Sequence, residues 1–305
     1  MTSPYAPRLA DTSVKQHQVS LSTGTTHYWE YGPADALTTI VVVHGFRGDH
    51  HGLEPVIAYA PDVRFIAPDL PGFGLSPPLR ATPHTIDAYA QWLSEFTHAV
   101  APGASVLGHS FGSIVASAAL SGGLATSSLI LVNPIGAPAL EGPRGILTRA
   151  AVLYYALGAR LPEKWGTALL RSPLIVRLMS TAMAKTKNRR LRRFIHEQHD
   201  RYFSLFADRT VLHEAFIASV SHDVREYAGA IAVPTLLIAA QNDDITPIHA
   251  VRELRQMFDQ AELIEIAHVG HLIHYEAPAE AAAAIDRFIG SRDEQDPQVH
   301  PSGTE

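Results

Sequence analysis

Gly108-His109-Ser110-Phe111-Gly112 reads G-x-S-x-G and sets a serine hydroxyl between near neighbours that carry no side chain. It follows a short buried-strand pattern and precedes a run of small apolar residues at helical spacing, the context in which a strand turns sharply into a helix. Such a turn strains its central residue, and the flanking glycines let neighbouring chains come close. The Ser110 hydroxyl then stands clear of the sheet as a candidate nucleophile. The first N–H groups of the helix face any negative charge that forms beside it, which makes Phe111 N–H a candidate oxyanion donor. Alone the pentapeptide says little, because glycine and serine are common. Its place between strand and helix gives it weight.

A serine of this kind needs a base, and the base needs an acid to hold its tautomer. After the last strand pattern, Glu262 to Ile266, comes His268-Val269-Gly270-His271, where Gly270 is expected to give His271 a flexible, close turn. His268 and His274 are the nearby alternatives. After the strand pattern Thr235 to Ala239 comes Gln241-Asn242-Asp243-Asp244-Ile245-Thr246-Pro247. Both aspartates qualify chemically, and either would also serve as a helix cap. Asp243 is preferred because it sits nearer the strand end, which leaves Asp244 exposed. A second oxyanion donor is expected from His44-Gly45-Phe46-Arg47-Gly48, after the strand pattern Thr39 to Val43, and is assigned to Phe46. His44 competes as a base, but a histidine opening such a loop more often braces it. Arg47, His50 and His51 either line the pocket or face solvent.

These groups can meet only if strands deliver them to one edge. Strand patterns recur at Thr39 to Val43, Val63 to Ala67, Ser105 to Leu107, Ser127 to Val132, Thr235 to Ala239 and Glu262 to Ile266. Helical patterns lie at Ile86 to Val100, Phe111 to Leu120, Val251 to Phe258 and Ala279 to Ile289. The alternation predicts an α/β fold with a mainly parallel sheet covered by helices on both faces. The Thr-rich stretch Val19 to Tyr31, with Gly24 in its middle, predicts an antiparallel hairpin at the sheet edge. No internal repeat is visible.

From Ala137 to Tyr227 the alternation stops and helical patterns rich in Ala, Leu and Arg take over, broken by Pro143, Pro162 and Pro173. The strand rhythm resumes at Pro234, so this stretch interrupts one domain. The expected organisation is a core at 1–136 and 228–291, a helical insertion at 137–227 and a disordered tail at 292–305. Between Glu141 and Glu226 fifteen Lys and Arg stand against eight Asp and Glu, which leaves +7 there and −13 elsewhere. The run Lys185 to Arg193 is either a solvated helix face or a set of arginines overhanging a pocket mouth, suited to carboxylates or phosphates.

With 305 residues, 46% hydrophobic and 18% charged, the chain can bury a substantial core. It has no cysteine, which excludes disulfides, thiolate nucleophiles and Cys-ligated zinc. A net charge of −6 gives no general reason to bind nucleic acid or an anionic membrane. No apolar stretch approaches a membrane span, so a cytoplasmic protein acting on a small molecule is expected. The histidines look too scattered for a metal site, and the chemistry sketched above calls for no cofactor.

Taken together, HGxxG at His44 to Gly48, GHSxG at Gly108 to Gly112, D-x-x-x-P at Asp243 to Pro247 and Gly270-His271 resemble the α/β-hydrolase superfamily, specifically its lidded members. Pro68-Asp69-Leu70-Pro71-Gly72-Phe73-Gly74-Leu75-Ser76 is similar to the loop after the fourth strand of that family. The order Ser, Asp, His also fits, and the resemblance covers Val19 to Ser291. It implies a twisted sheet of about eight strands, a helical cap over the site and ester-like hydrolysis through Ser110, Asp243 and His271. Haloalkane dehalogenases and epoxide hydrolases of the superfamily use an aspartate nucleophile, against which Ser110 argues. Carbon–carbon hydrolases commonly carry Trp after the catalytic histidine, where this chain has Leu272. A ligand-binding member without turnover is the remaining alternative.

Overall fold

The structure is a computed structural model that describes residues 3–137 and 145–293. Eight strands form one sheet: β1 (Val14–Ser20), β2 (Thr25–Tyr31), β3 (Thr39–Val43), β4 (Arg64–Pro68), β5 (Ser105–His109), β6 (Leu129–Val132), β7 (Thr235–Ala240) and β8 (Ala261–Ile266). Their order is β1-β2-β4-β3-β5-β6-β7-β8. β1 and β2 pair antiparallel, as do β2 and β4, and every later pair is parallel. The edge hairpin starts five residues earlier than the alternation at Val19 suggests, since β1 begins at Val14. Most of β1 is exposed, so it carries no burial signal in its sequence.

The central strands read as unbroken apolar runs because both faces are covered. Val41, Val43, Val106, Leu129, Leu131 and Leu237 face one core, and Ile40, Val42, Leu107, Ile130, Val132 and Ile238 face the other. The alternation follows from the two-residue period of a strand. On the first face lie α3 (Ile86–Val100) and α4 (Phe111–Ser121). In α3 the buried Ile86, Tyr89, Trp92, Leu93 and Phe96 recur at helical spacing, and Thr85 caps the helix by accepting Ala88 N–H at 3.2 Å. Burial of each such side chain contributes roughly 1.5–3 kcal/mol. On the second face lie α2 (Glu54–Ile57) and α13 (Pro278–Asp293), with α12 (Ile273–Glu276) leading into the latter. A short helix, α1 (Ala6–Leu9), opens the chain, and α11 (Ile248–Arg255) links β7 to β8.

Between β6 and β7 the chain forms α5 (Gly145–Arg160), α6 (Glu163–Leu170), α7 (Pro173–Met183), α8 (Arg189–Tyr202), α9 (Arg209–Ser221) and α10 (Arg225–Ala228). Pro162 and Pro173 stand at helix starts, where a missing N–H costs nothing. Pro143 lies outside the described residues, as does 294–305 of the expected tail, while α13 continues to Asp293. None of the described helices is long and apolar enough to cross a membrane.

Candidate active site

Ser110 sits between β5 and α4 with φ 53° and ψ −117°, a conformation that non-glycine residues adopt only under constraint. The constraint comes from close packing. A Cβ on Gly112 would lie 2.2 Å from the Val43 carbonyl oxygen, so a side chain there would push α4 off β3. Ser110 N–H donates to the Val132 carbonyl at 3.1 Å, which ties the turn to β6.

The loops after β7 and β8 bring Asp243 and His271 to this serine. His271 Nε2 lies 2.8 Å from Ser110 Oγ, and His271 Nδ1 lies 2.8 Å from Asp243 Oδ2. A carboxylate only accepts, so Nδ1 carries the proton and Nε2 offers its lone pair to the serine hydroxyl. Asp243 Oδ1 accepts Ile245 N–H at 2.7 Å and Thr246 N–H at 3.2 Å. Burial alone would raise the Asp243 carboxyl, but its electrostatic interaction and hydrogen bond with His271, together with these amides, hold it below the ordinary carboxylate range. Asp244 is exposed and pairs with Lys185 instead.

The neighbouring histidines separate by position. His268 is exposed, has φ 65° and borders a second, polar cavity that Asp243 also lines. The left-handed residue of this loop is therefore His268, not Gly270. Gly270 is demanded by crowding: a Cβ there would lie 2.5 Å from Lys185 Cγ. His274 is buried, its ring 4.2 Å from that of His109, and burial holds both rings neutral, His109 down to about 3. His44 donates from Nδ1 to the Gly45 carbonyl at 2.8 Å and accepts Leu70 N–H at Nε2 at 2.9 Å. It braces the loop that carries Phe46.

Arg47 lines the pocket and does not face solvent, and its guanidinium is fully engaged. It is 2% exposed with φ 62°, and it donates from Nε to the Phe203 carbonyl at 2.8 Å, from Nη2 to the Leu170 carbonyl at 2.9 Å and from Nη1 to Tyr155 Oη at 3.3 Å. It thus binds the His44–Gly48 loop to the α5, α6 and α8 region. His50 is buried against Asp69 at 2.8 Å, and His51 holds Asp49 at 3.2 Å. The histidines are less scattered than the sequence suggests. Asp49, His50 and His51 place one ligand atom each within 4.8 Å, although both Nδ1 atoms already serve carboxylates.

Ser110 and His271 open into a cavity of about 180 Å³ walled by Phe46, Met179, Met183, Phe203, Ile245 and Leu272. Met179 and Met183 come from α7, and Arg47 is the one arginine among the described lining residues. Arg189, Arg190, Arg192 and Arg193 of the basic run are exposed on α8 and do not line it. The site residue that sequence reasoning missed is Asn133, at the end of β6 with φ 46°. Its Nδ2 lies 2.9 Å from Asp243 Oδ2 and 3.3 Å from the Gly270 carbonyl. An Asn directly after a buried apolar strand was the available signal.

Residues 40–284 match the model of the alpha/beta hydrolase family. The chain belongs to that family. Within it, the chain is 26% identical to RutD of Variovorax paradoxus, a protein named for carbamate hydrolysis, over 80% of this chain and 88% of that one. It is 35% identical to the superfamily protein YisY of Bacillus subtilis, but the match covers only 25% of this chain and 28% of that relative. Among solved structures, an esterase from Thermogutta terrifontis superposes with a TM-score of 0.69 at 19% identity, covering 91% of this chain and 98% of that one. The epoxide hydrolase CorEH gives 0.73 at 20% identity, covering 92% and 100%. At such identities the hydrolase fold is what these structures share with the chain.

Proposed function

We propose that this alpha/beta hydrolase is a serine hydrolase that cleaves an ester-like bond of a small organic substrate through an acyl-enzyme. The observation that carries the proposal is the continuous hydrogen-bonded line from Ser110 Oγ through His271 to Asp243, with 2.8 Å at each step, opening into a substrate-sized cavity. In the first half-reaction Ser110 Oγ attacks the carbonyl carbon and its proton passes to His271 Nε2. Asp243 stabilises the imidazolium that results. The N–H groups of Phe46 and Phe111 hold the oxyanion, the second at the start of α4, where backbone donors have no carbonyl a turn earlier. The carbon–oxygen bond of the ester then breaks, and His271 gives its proton to the leaving alcohol. In the second half, His271 takes a proton from water as the water attacks the acyl carbon, and returns it to Ser110 Oγ.

A cavity of about 180 Å³ is below the roughly 300–1,000 Å³ of drug-sized sites, which favours a small acyl group with an apolar body. The described helices between β6 and β7, from Gly145 to Ala228, supply part of the wall and act as a cap, in the stretch that the sequence marks as an insertion at 137–227. Buried Leu272 stands where carbon–carbon hydrolases of the superfamily commonly carry Trp, so ester-like bonds are preferred.

The deciding experiment is labelling with a fluorophosphonate probe, with Ser110→Ala as control, followed by an ester, lactone, thioester and carbamate panel. Labelling of Ser110 and turnover of one class that the control abolishes are expected. A folded wild-type protein that resists the probe would leave only a binding role for the pocket.

A further inference from the structure

Glu276 takes no part in the reaction steps above, yet its carboxylate is engaged on both oxygens. Oε1 accepts Lys185 N–H at 2.6 Å and Thr186 N–H at 2.7 Å, both in the segment joining α7 to α8. Oε2 accepts Gly270 N–H at 3.1 Å, one residue before His271. The Gly270 carbonyl is taken by Asn133 Nδ2, the same atom that contacts Asp243. Gly270 is therefore held at its N–H and its C=O, and the chain entering His271 has little freedom to turn.

The α7–α8 segment closes over this point. Lys185 Nζ pairs with Asp244, and Met183, two residues before Lys185, lines the cavity beside Ser110. No side chain larger than hydrogen fits at position 270 while Lys185 lies there. Beneath the segment, Ala184, Phe194, Ile195, Leu272 and Tyr275 form a small apolar cluster with Tyr5. Its backbone donors still need an acceptor in this crowded place, and Glu276 is where they find one.

We propose that Glu276 is a positioning residue whose single carboxylate fixes both the backbone entering His271 and the seating of the α7–α8 segment, so that the base and one pocket wall are set together. The proposal rests on His271 being the general base. A carboxylate suits the task because it accepts on both oxygens with charge assistance. Glutamine keeps one acceptor and turns an NH₂ group toward a backbone N–H on the other side. Misplacement of a catalytic group by about 1 Å can cost on the order of 100-fold in rate.

The test compares wild type, Glu276→Gln and Glu276→Asp. Three quantities are measured: the fluorophosphonate labelling rate of Ser110, kcat and KM on p-nitrophenyl acetate, and hydrogen exchange at the amides of 185, 186 and 270. Glu276→Gln should lower the labelling rate and kcat by about tenfold or more, with KM changed less than about threefold, while the three amides lose protection together. Glu276→Asp should restore part of the rate. A folded Glu276→Gln protein that labels and turns over at the wild-type rate would overturn the proposal. So would a loss of activity that only tracks the fraction unfolded, with the rate per folded molecule unchanged. If the wild type itself resists the probe, the serine-hydrolase function falls separately, and the exchange data still decide whether one carboxylate couples the two segments.

Discussion

Asn133 Nδ2 stands 2.9 Å from Asp243 Oδ2, the oxygen that His271 Nδ1 also reaches at 2.8 Å. Both neighbours of that nitrogen are acceptors, so the amide orientation is fixed by its surroundings. Asparagine also tolerates the left-handed backbone found here better than most residues. Asn133→Ala removes a donor from a buried carboxylate, worth about 1.5–3 kcal/mol, and is expected to lower kcat by about 10- to 100-fold with little change in KM. Asn133→Asp should cost more, because a second carboxylate would raise the pKa of Asp243. Steady-state kinetics on one ester separates these outcomes.

Acid should unfold the protein early. His44, His109, His199 and His274 are buried, and burial holds each below the ordinary histidine range, His109 and His199 down to about 3. Folded, they are neutral. Unfolded, they bind protons near pH 6.5, so unfolding takes up protons and stability falls as pH drops from about 6.5 toward 3. Each can contribute up to about 1.4 kcal/mol per pH unit in that window. The depressed Asp243 adds a loss in the same direction below about pH 4. Melting temperatures at pH 8, 6.5 and 5 should fall steeply between the last two. His274→Asn, with nothing to protonate, should make the fall shallower, and a flat profile in the wild type would contradict the account.

The parallel core and the loops carrying Ser110, Asp243 and His271 were legible because each depends on local signals. A buried strand reads as an apolar run, and a sharp turn needs glycine beside it. Contacts made across long sequence separations were not legible. Arg47 lines the pocket, one of the two places the sequence left open, but its partners at Tyr155, Leu170 and Phe203 lie more than 100 residues away, and no local pattern announces them. Glu276 was missed for the same reason, and Asn133, although it follows a buried apolar strand, has its partner Asp243 110 residues away. Gly270 was read as a flexible, close turn into His271, but its N–H and C=O are both held and what requires a glycine is the approach of Lys185 from the α7–α8 segment, invisible without the fold.

Arg47 should be a keystone for stability. Arg47→Met keeps the apolar length but leaves the Leu170 and Phe203 carbonyls without their donor, at about 1–3 kcal/mol for each group that stays dry. A fall in melting temperature of several degrees is expected, with kcat also reduced because Phe46 is the neighbouring residue. Arg47→Lys should rescue little, since an ammonium cannot reproduce the planar fork that spans three acceptors. Thermal unfolding of both variants checks this, and a lysine variant as stable as wild type would refute it.

The basic run of α8 is expected to be a solvated face. Arg189 and Arg190 are exposed and absent from the wall of the Ser110 cavity, and the run is bonded within itself, with Arg192 donating to the Thr186 carbonyl. Charges in water separated by more than about 8–10 Å are largely screened at physiological salt. Arg189→Gln with Arg190→Gln should therefore change kcat/KM by less than about twofold, and equally for a neutral ester and for one bearing a carboxylate. Steering would show differently. It would lower kcat/KM for the anionic ester alone, and raising the salt concentration would erase the gap. Measuring both esters at low and high salt decides between them, and a salt-sensitive loss confined to the anionic ester would place these arginines over the mouth of the site after all.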